Sequence, residues 1–211
     1  MKGKIVFITG ASSGIGEGCA RKFASQGSDL ILNARNVAKL EELKKELETK
    51  YGVRVCLLPF DVRDRKAASA ALASLPEEWK NIDVLVNNAG LVIGVDKEFE
   101  GNLDEWDIMI DTNIKALLAI TRMVVPGMVE RSRGHIIKPG MVETNFTVVR
   151  YRGDKDAADA FYKGIRPLTG DDIAETVYYA ASAPEHIQIA EVLVMPTYQA
   201  TGTISYKKKD C

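Results

Sequence analysis

Short stretches of this chain carry residue types whose spacing serves chemistry. Thr9 to Gly16 reads TGASSGIG, a Gly-x-x-x-Gly-x-Gly pattern with Gly10, Gly14 and Gly16 at its fixed points and Ser12, Ser13 and Ile15 between them. Glycine lets a backbone turn tightly and come close to a pyrophosphate. A helix that starts at such a turn adds amide hydrogens and the positive end of its dipole. Asn87 to Gly90 reads NNAG, and Pro139-Gly140 lies within KPGMVETNF. The first stretch alone also fits a turn that merely packs. A phosphate-cleaving P-loop is the natural competitor, but no Gly-Lys-Ser/Thr follows the turn to hold a γ-phosphate and magnesium.

Such residues need strand ends and helix starts to position them. Short β-branched runs alternate with amphipathic patterns: KIVFIT, a helix through IGEGCARKFASQG, DLILNA, a helix through NVAKLEELKKELETKYG, VRVCLLPFD, a helix through AASAALASLP, and IDVLVNNAG. Continuous apolar strands separated by helices are what a parallel sheet covered on both faces requires. The expected fold is therefore α/β, a doubly wound parallel sheet of Rossmann type in three layers. Further on, a helical pattern runs from about Leu103 to Glu130. A helix through TGDDIAETVYYAASAP starts at a Thr169 cap and stops at Pro184, and EVLVMPT reads as a last strand. Residues 1–211 contain no repeat, low-complexity segment or linker and read as a single domain.

With 46% hydrophobic and 27% charged residues the chain has the composition of a globular domain, and a net charge of -1 gives no long-range pull toward nucleic acid or anionic lipid. The late YKKKD run reads as a solvated tail. Cys19, Cys56 and Cys211 have no C-x-x-C spacing, which suggests neither a disulfide framework nor a thiolate metal site and fits a reducing, cytoplasmic setting. His135 and His186 stand apart from any ligand pattern, so no metal is expected. The apolar stretch IVFI is too short for a signal peptide, and no run reaches transmembrane length.

Together, TGASSGIG, NNAG and the Pro-Gly turn resemble the short-chain dehydrogenase/reductase family over nearly the whole chain. The resemblance implies that Gly10, Ser12, Ser13, Gly14, Ile15 and Gly16 bind the pyrophosphate of a nicotinamide dinucleotide. Asp61 and Val62 would meet the adenine ring, although Asp61 equally suits a cap on the next helix. Asn88 would tie neighbouring strand ends, Ala89 and Gly90 would let the cofactor lie near the backbone, and Pro139, Gly140 and Thr144 would border the nicotinamide, Thr144 hydrogen-bonding beside its carboxamide. The end of the second strand selects between cofactors, an acid favouring the free ribose hydroxyl of NAD and a cation the 2′-phosphate of NADP. LILNARN offers Arg35 and no acid there, so the expected cofactor is NADP. Homotetramers are usual in the family, and AEVLVMPTYQA could supply an interface.

The active site is only partly present. Asn113, in DTNIKALLAI, sits inside the long helical pattern where Asn is a mediocre helix former. In the family the asparagine at this position exposes its carbonyl to a water of the proton relay. The family also carries a serine after its fifth strand and Tyr-x-x-x-Lys on the next helix, and the chain has room for neither. GHII resembles the fifth strand and KPGMVETNF the turn after the sixth, yet Ile137 leads directly into Lys138. Two parallel neighbours need a crossover of about a dozen residues. The expectation is an omitted segment between residues 137 and 138. The alternative is a true deletion, leaving an NADP-binding regulatory protein without redox activity; a purely structural α/β module is a third reading.

Tyr151 and Lys155 have the four-residue spacing of the catalytic pair, but Gly153 between them disfavours a helix, and both follow the Pro-Gly turn. The stretch ETNFTVVRYRGD resembles the substrate loop of the subgroup acting on short 3-hydroxy acids such as serine and allo-threonine. Arg150 or Arg152 would then hold the carboxylate of this small-molecule substrate.

Overall fold

A computed structural model describes residues 1–138, 145–162, 167–184, 186–192 and 194–196. The chain opens with β1 (Ile5–Thr9), whose residues are all buried, so both of its faces are covered. It continues through α1 (Gly14–Ser25), β2 (Asp29–Asn33), α2 (Val37–Tyr51), β3 (Val55–Leu57), α3 (Arg65–Ala73) and β4 (Ile82–Val86). Leu40, Leu43 and Leu47 form the buried stripe of α2, the Asn36 side chain accepts from the Lys39 amide at its start, and Gly52 closes it at φ 66°, a conformation glycine adopts without strain.

After β4 come α4 (Leu103–Ile110), a π-helical turn over Asp111–Ala116, α5 (Leu117–Glu130) and β5 (His135–Ile137). Two short helices follow, α6 (Asn145–Arg150) and α7 (Lys155–Tyr162), and then α8 (Gly170–Ala181), which Thr169 and Asp172 start with a reciprocal capping box. The long helical pattern thus has the expected extent but is interrupted by the π turn that contains Asn113. Of the ETNFTVVRYRGD stretch, expected to resemble a substrate loop, the described residues 145–154 form α6 and the turn that leads to α7.

The sheet has the order β3-β2-β1-β4-β5 with every pair parallel. Side chains on its two faces build two cores. Val6, Ile8, Leu30 and Val86 meet Cys19, Phe23, Leu43 and Val177 from α1, α2 and α8. Phe7, Ile31 and Leu85 meet Ala68, Ile120, Val124 and Met128 from α3 and α5. This is the three-layer, doubly wound architecture expected.

Two expectations need correction. Asp64, not Asp61, caps α3, its carboxylate accepting from the Lys66 and Ala67 amides. Asp61 lies three residues too early to reach them. No strand forms in the expected EVLVMPT segment among its described residues 191, 192 and 194–196, and among the described residues β5 is the edge of the sheet. A strand persists only beside a partner that satisfies its backbone, and among the described residues no strand lies beyond β5 to pair with it.

Candidate active site

The carboxyl ends of β1 and β4 meet at a crossing point where the chain leaves in opposite directions, the position at which open α/β sheets bind ligands. Thr9 organises it. Its hydroxyl oxygen accepts from the Asn88 and Ala89 amides, each at 3.0 Å. The Asn88 side chain in turn donates to the carbonyls of Thr9 at 2.9 Å and Gly10 at 3.1 Å, clamping the two strand ends together. Thr9 was not singled out in the sequence; its place at the last position of a buried strand beside the glycine turn was the available signal.

The glycine turn fits a dinucleotide on steric grounds. Gly10 and Gly14 have φ of 67° and 58°. A side chain on Gly16 would put its first carbon 2.3 Å from the Gly10 carbonyl oxygen and 2.5 Å from Asn88 Nδ2, so the turn closes only around a hydrogen atom. Ser13 stands at the start of α1 with extended backbone and makes no capping hydrogen bond, leaving its hydroxyl for another acceptor or donor. Ile15 is buried in the core, where it anchors the first turn of the helix. Gly16→Ala is expected to cost about 1–3 kcal/mol of stability through overpacking, and to weaken NADPH binding about tenfold or more by spreading the turn. A thermal melt and a fluorescence titration check it; unchanged binding would remove the turn from the cofactor site.

Arg35 lies just past the end of β2 with 69% of its side chain exposed, and its nearest carboxylate is Asp61 at 3.9 Å. Asp61 is itself engaged by Arg63, which binds it through both Nε and Nη2, the latter at 2.7 Å. This hydrogen-bonded guanidinium holds the Asp61 carboxyl below the usual carboxylate range against a smaller opposing effect of burial; the Arg63 amide and the charge of Arg35 add to it. Arg63 went unnoticed in the sequence because nothing local distinguishes it from a surface arginine. Val62 is buried in the core on the α3 and α5 side of the sheet.

Asn113 reaches back to the loop after β4. It accepts from the Leu91 amide at 2.9 Å and donates to the Leu91 carbonyl at 2.6 Å, and Gly90 lies so close that a side chain there would come within 3.0 Å of Asn113 Oδ1. Both edges of its amide are thereby committed to holding this loop against the helix. The π turn that carries it is a rare helical defect that collects at functional sites.

Arg152 and Arg150 occupy different surroundings. Arg152 pairs with Asp96 and binds Glu105 with two nitrogens, Nε at 2.9 Å and Nη2 at 2.8 Å. Arg150 is half-buried, its guanidinium 5.9 Å from the Phe161 ring centre, and among the described residues its Nε has no hydrogen-bond partner. Tyr151 and Lys155 fall on either side of a chain reversal at Arg152 and Gly153, with φ of 51° and 92°, so they do not share a helix face. Pro139, Gly140 and Thr144 lie outside the described residues. Burial pushes the Cys19 thiol up to about 12, with the charge of Asp171 adding to it, and such a thiol is no nucleophile. Among the described residues no group of His, Cys, Asp and Glu could hold a metal ion, and no helix is long and apolar enough to cross a membrane.

A glycine turn at the sheet's crossing point, with an exposed arginine beyond the next strand, defines a dinucleotide-binding α/β protein. Residues 4–172 match the short chain dehydrogenase family, and the chain belongs to it. It is 37% identical to an NADP-dependent 3-hydroxy acid dehydrogenase of Schizosaccharomyces pombe over 255 positions, covering 99% of this chain and 98% of that protein. The protein of that description from Escherichia coli K12 is 36% identical over 251 positions, covering 97% of this chain and all of the relative. Among solved structures, a closed form of serine dehydrogenase complexed with NADP+ superposes with a TM-score of 0.88 at 35% identity, covering 97% of this chain and 100% of that one. The 255 positions of the first alignment less the 211 residues of this chain leave at least 44 positions where the relative has a residue and this chain has none.

Proposed function

We propose that the protein is an NADP-dependent oxidoreductase acting on CH–OH, which transfers a hydride between NADP(H) and the hydroxyl-bearing carbon of a short 3-hydroxy acid of the serine, allo-threonine or 3-hydroxyisobutyrate type. The observation that carries this reading is the near full-length likeness to NADP-dependent 3-hydroxy acid dehydrogenases, on a chain that keeps the glycine turn and an uncommitted Arg35. When bound, the nicotinamide supplies the carbon that gives or takes the hydride. The backbone from Gly10 to Gly16 and the Ser13 hydroxyl bind the phosphates, Arg35 binds the 2′-phosphate, and Asp61 and Val62 border the adenine. Asn88, Ala89 and Gly90 form the floor. Pro139, Gly140 and Thr144 complete the nicotinamide end, Asn113 belongs to the proton relay, and Arg150 holds the substrate carboxylate.

The relay also needs a proton-transferring tyrosine, a lysine that lowers its pKa and a serine that polarises the reacting oxygen. The active polypeptide is accordingly proposed to carry a crossover segment between Ile137 and Lys138 that supplies them. The deficit of at least 44 positions supports this. So does Ile136. It shares the sheet face of Leu85, whose side chain is fully buried under the α3 and α5 layer, yet it is 42% exposed, as though one covering helix were lacking.

Intact mass and turnover test the reading together. The expected result is a mass well above 23.2 kDa, with NADP-dependent oxidation of allo-threonine or 3-hydroxyisobutyrate faster than that of sugars or the reduction of simple ketones. A mass of 23.2 kDa removes the crossover segment, and absence of turnover with every hydroxy acid removes the substrate class. Self-assembly, proposed as a homotetramer, is supported by the exposed ridge of Ile110, Ile114 and Leu118, which lie 42%, 54% and 61% open on successive turns from α4 into α5. A cytoplasmic location is supported by the unpaired Cys19 and Cys56.

A further inference from the structure

The two arginines that follow α6's midpoint were equal candidates for a substrate carboxylate, and their surroundings separate them. Arg152 is spread across two elements distant in sequence. Asp96 lies in the loop that leaves the β4 end of the site, 56 residues away, and Glu105 lies in the first turn of α4, 47 residues away. The Nε and Nη2 edge of the guanidinium lies side-on to Glu105, the two-pronged geometry that gives an arginine-carboxylate pair direction as well as attraction. The backbone is shaped for this contact. Arg152 holds φ at 51°, which a side-chain-bearing residue rarely adopts, and the Gly94 amide donates to the Arg150 carbonyl at 2.9 Å. Gly94 itself has φ of 81°, and a side chain on it would come within 2.9 Å of Arg152 Nη2 and 3.0 Å of Asp96 Oδ2. A guanidinium, a glycine and two acids thus meet at one point, and Arg152 holds both carboxyls below their usual range through its hydrogen bonds to them.

We propose that Arg152 is a positioning residue: with Asp96 and Glu105 it straps the α6–α7 turn to the loop after β4 and to α4, and so holds Arg150 at the site as the cation facing the substrate carboxylate. Arg152 then touches no substrate. The role given to Arg150 rests on the hydroxy-acid reading above, whereas the strap itself does not, because the contact exists in the protein without any ligand. An ion pair this exposed is modest in strength and screened by salt, so it suits a clasp that opens and closes more than one that carries the fold.

Hydrogen–deuterium exchange of the full-length protein reads the strap without requiring turnover. Arg152→Gln and Glu105→Gln are each expected to speed exchange over residues 145–162 by about three- to tenfold, and the double variant by no more than either alone. Raising ionic strength should speed it in the wild type and leave the variants nearly unchanged. The charge-swapped pair Arg152→Glu with Glu105→Arg should recover part of the protection. Steady-state kinetics adds the second readout: loosening the strap raises KM in the Glu105 variant as well, although Glu105 carries the wrong charge to bind a carboxylate. Exchange over 145–162 unchanged in both single variants would overturn the proposal. So would a KM raised by Arg152→Gln alone with wild-type protection, which would make Arg152 a direct substrate ligand. A failure of the hydroxy-acid reading would instead appear as intact strap behaviour with no turnover.

Discussion

Arg35→Ala is expected to weaken NADPH binding by roughly 10- to 150-fold while changing NADH binding by no more than about threefold. A hydrogen bond from a charged donor contributes about 1.5–3 kcal/mol when its partner is also charged, and each 1.4 kcal/mol is about a factor of ten in affinity. The size of the effect depends on whether the arginine is free to act. Arg35 is, because Asp61 stands 3.9 Å away and is already bound by Arg63, so little of the Arg35 charge is neutralised within the protein. The loss should be confined to the cofactor bearing the extra phosphate. With 69% of its side chain exposed, Arg35 has little to contribute to folding, and the melting temperature should stay close to that of the parent. Titration of both reduced cofactors by fluorescence decides the matter. Equal weakening of NADPH and NADH would show that Arg35 acts on something both share and would return cofactor choice to another residue.

Asp83→Ala is expected to lower stability by roughly 2–4 kcal/mol without altering the cofactor site directly. Asp83 lies near the start of β4, at the end of the strands opposite the glycine turn. Its buried carboxylate accepts from the Ile5 amide at 2.9 Å and pairs with Lys4 at 3.5 Å and Arg133 at 2.6 Å, so one side chain joins the starts of β1, β4 and β5. The two ion pairs contribute little by themselves, about 0–1 kcal/mol each, because Lys4 and Arg133 remain substantially exposed. The greater cost is the Ile5 amide left buried without an acceptor, about 1–3 kcal/mol. For a chain of this size that corresponds to a melting temperature lower by roughly 5–15 °C. Asp83→Asn, which retains an acceptor for the amide, should recover more than half of the loss. If alanine and asparagine variants melted together, the charge pairs and not the amide would carry the stability.

The legible part of the site was the part built from local geometry. TGASSGIG requires positive φ and close backbone approach at fixed spacings, and those demands act within eight residues, so residue types alone reveal them. The same holds for the Thr169 cap, and for the alternation of apolar strands with amphipathic helices from which the parallel sheet follows. The zero-length step from Ile137 to Lys138 was also visible, because two parallel neighbouring strands of the kind GHII and KPGMVETNF resemble need a crossover between them.

Other features arise only when distant segments meet. Asp61 and Asp64 are both sound helix caps by type, and the choice between them is made by where the third strand delivers the chain and by the presence of Arg63. Arg150 and Arg152 are alike in sequence; their separation into one half-buried cation and one clasped cation comes from Asp96 and Glu105, about fifty residues upstream. The exposure of Ile136 on the edge strand is likewise set by what packs against it, which its own type does not reveal. By itself the sequence determined the family, the sheet and the glycine turn, because those follow from periodicity and short-range backbone constraint. Tertiary structure alone decided which charges are spent and which are free, because an ion pair depends on distance in space, and the residues that set it here come from separate turns of the fold.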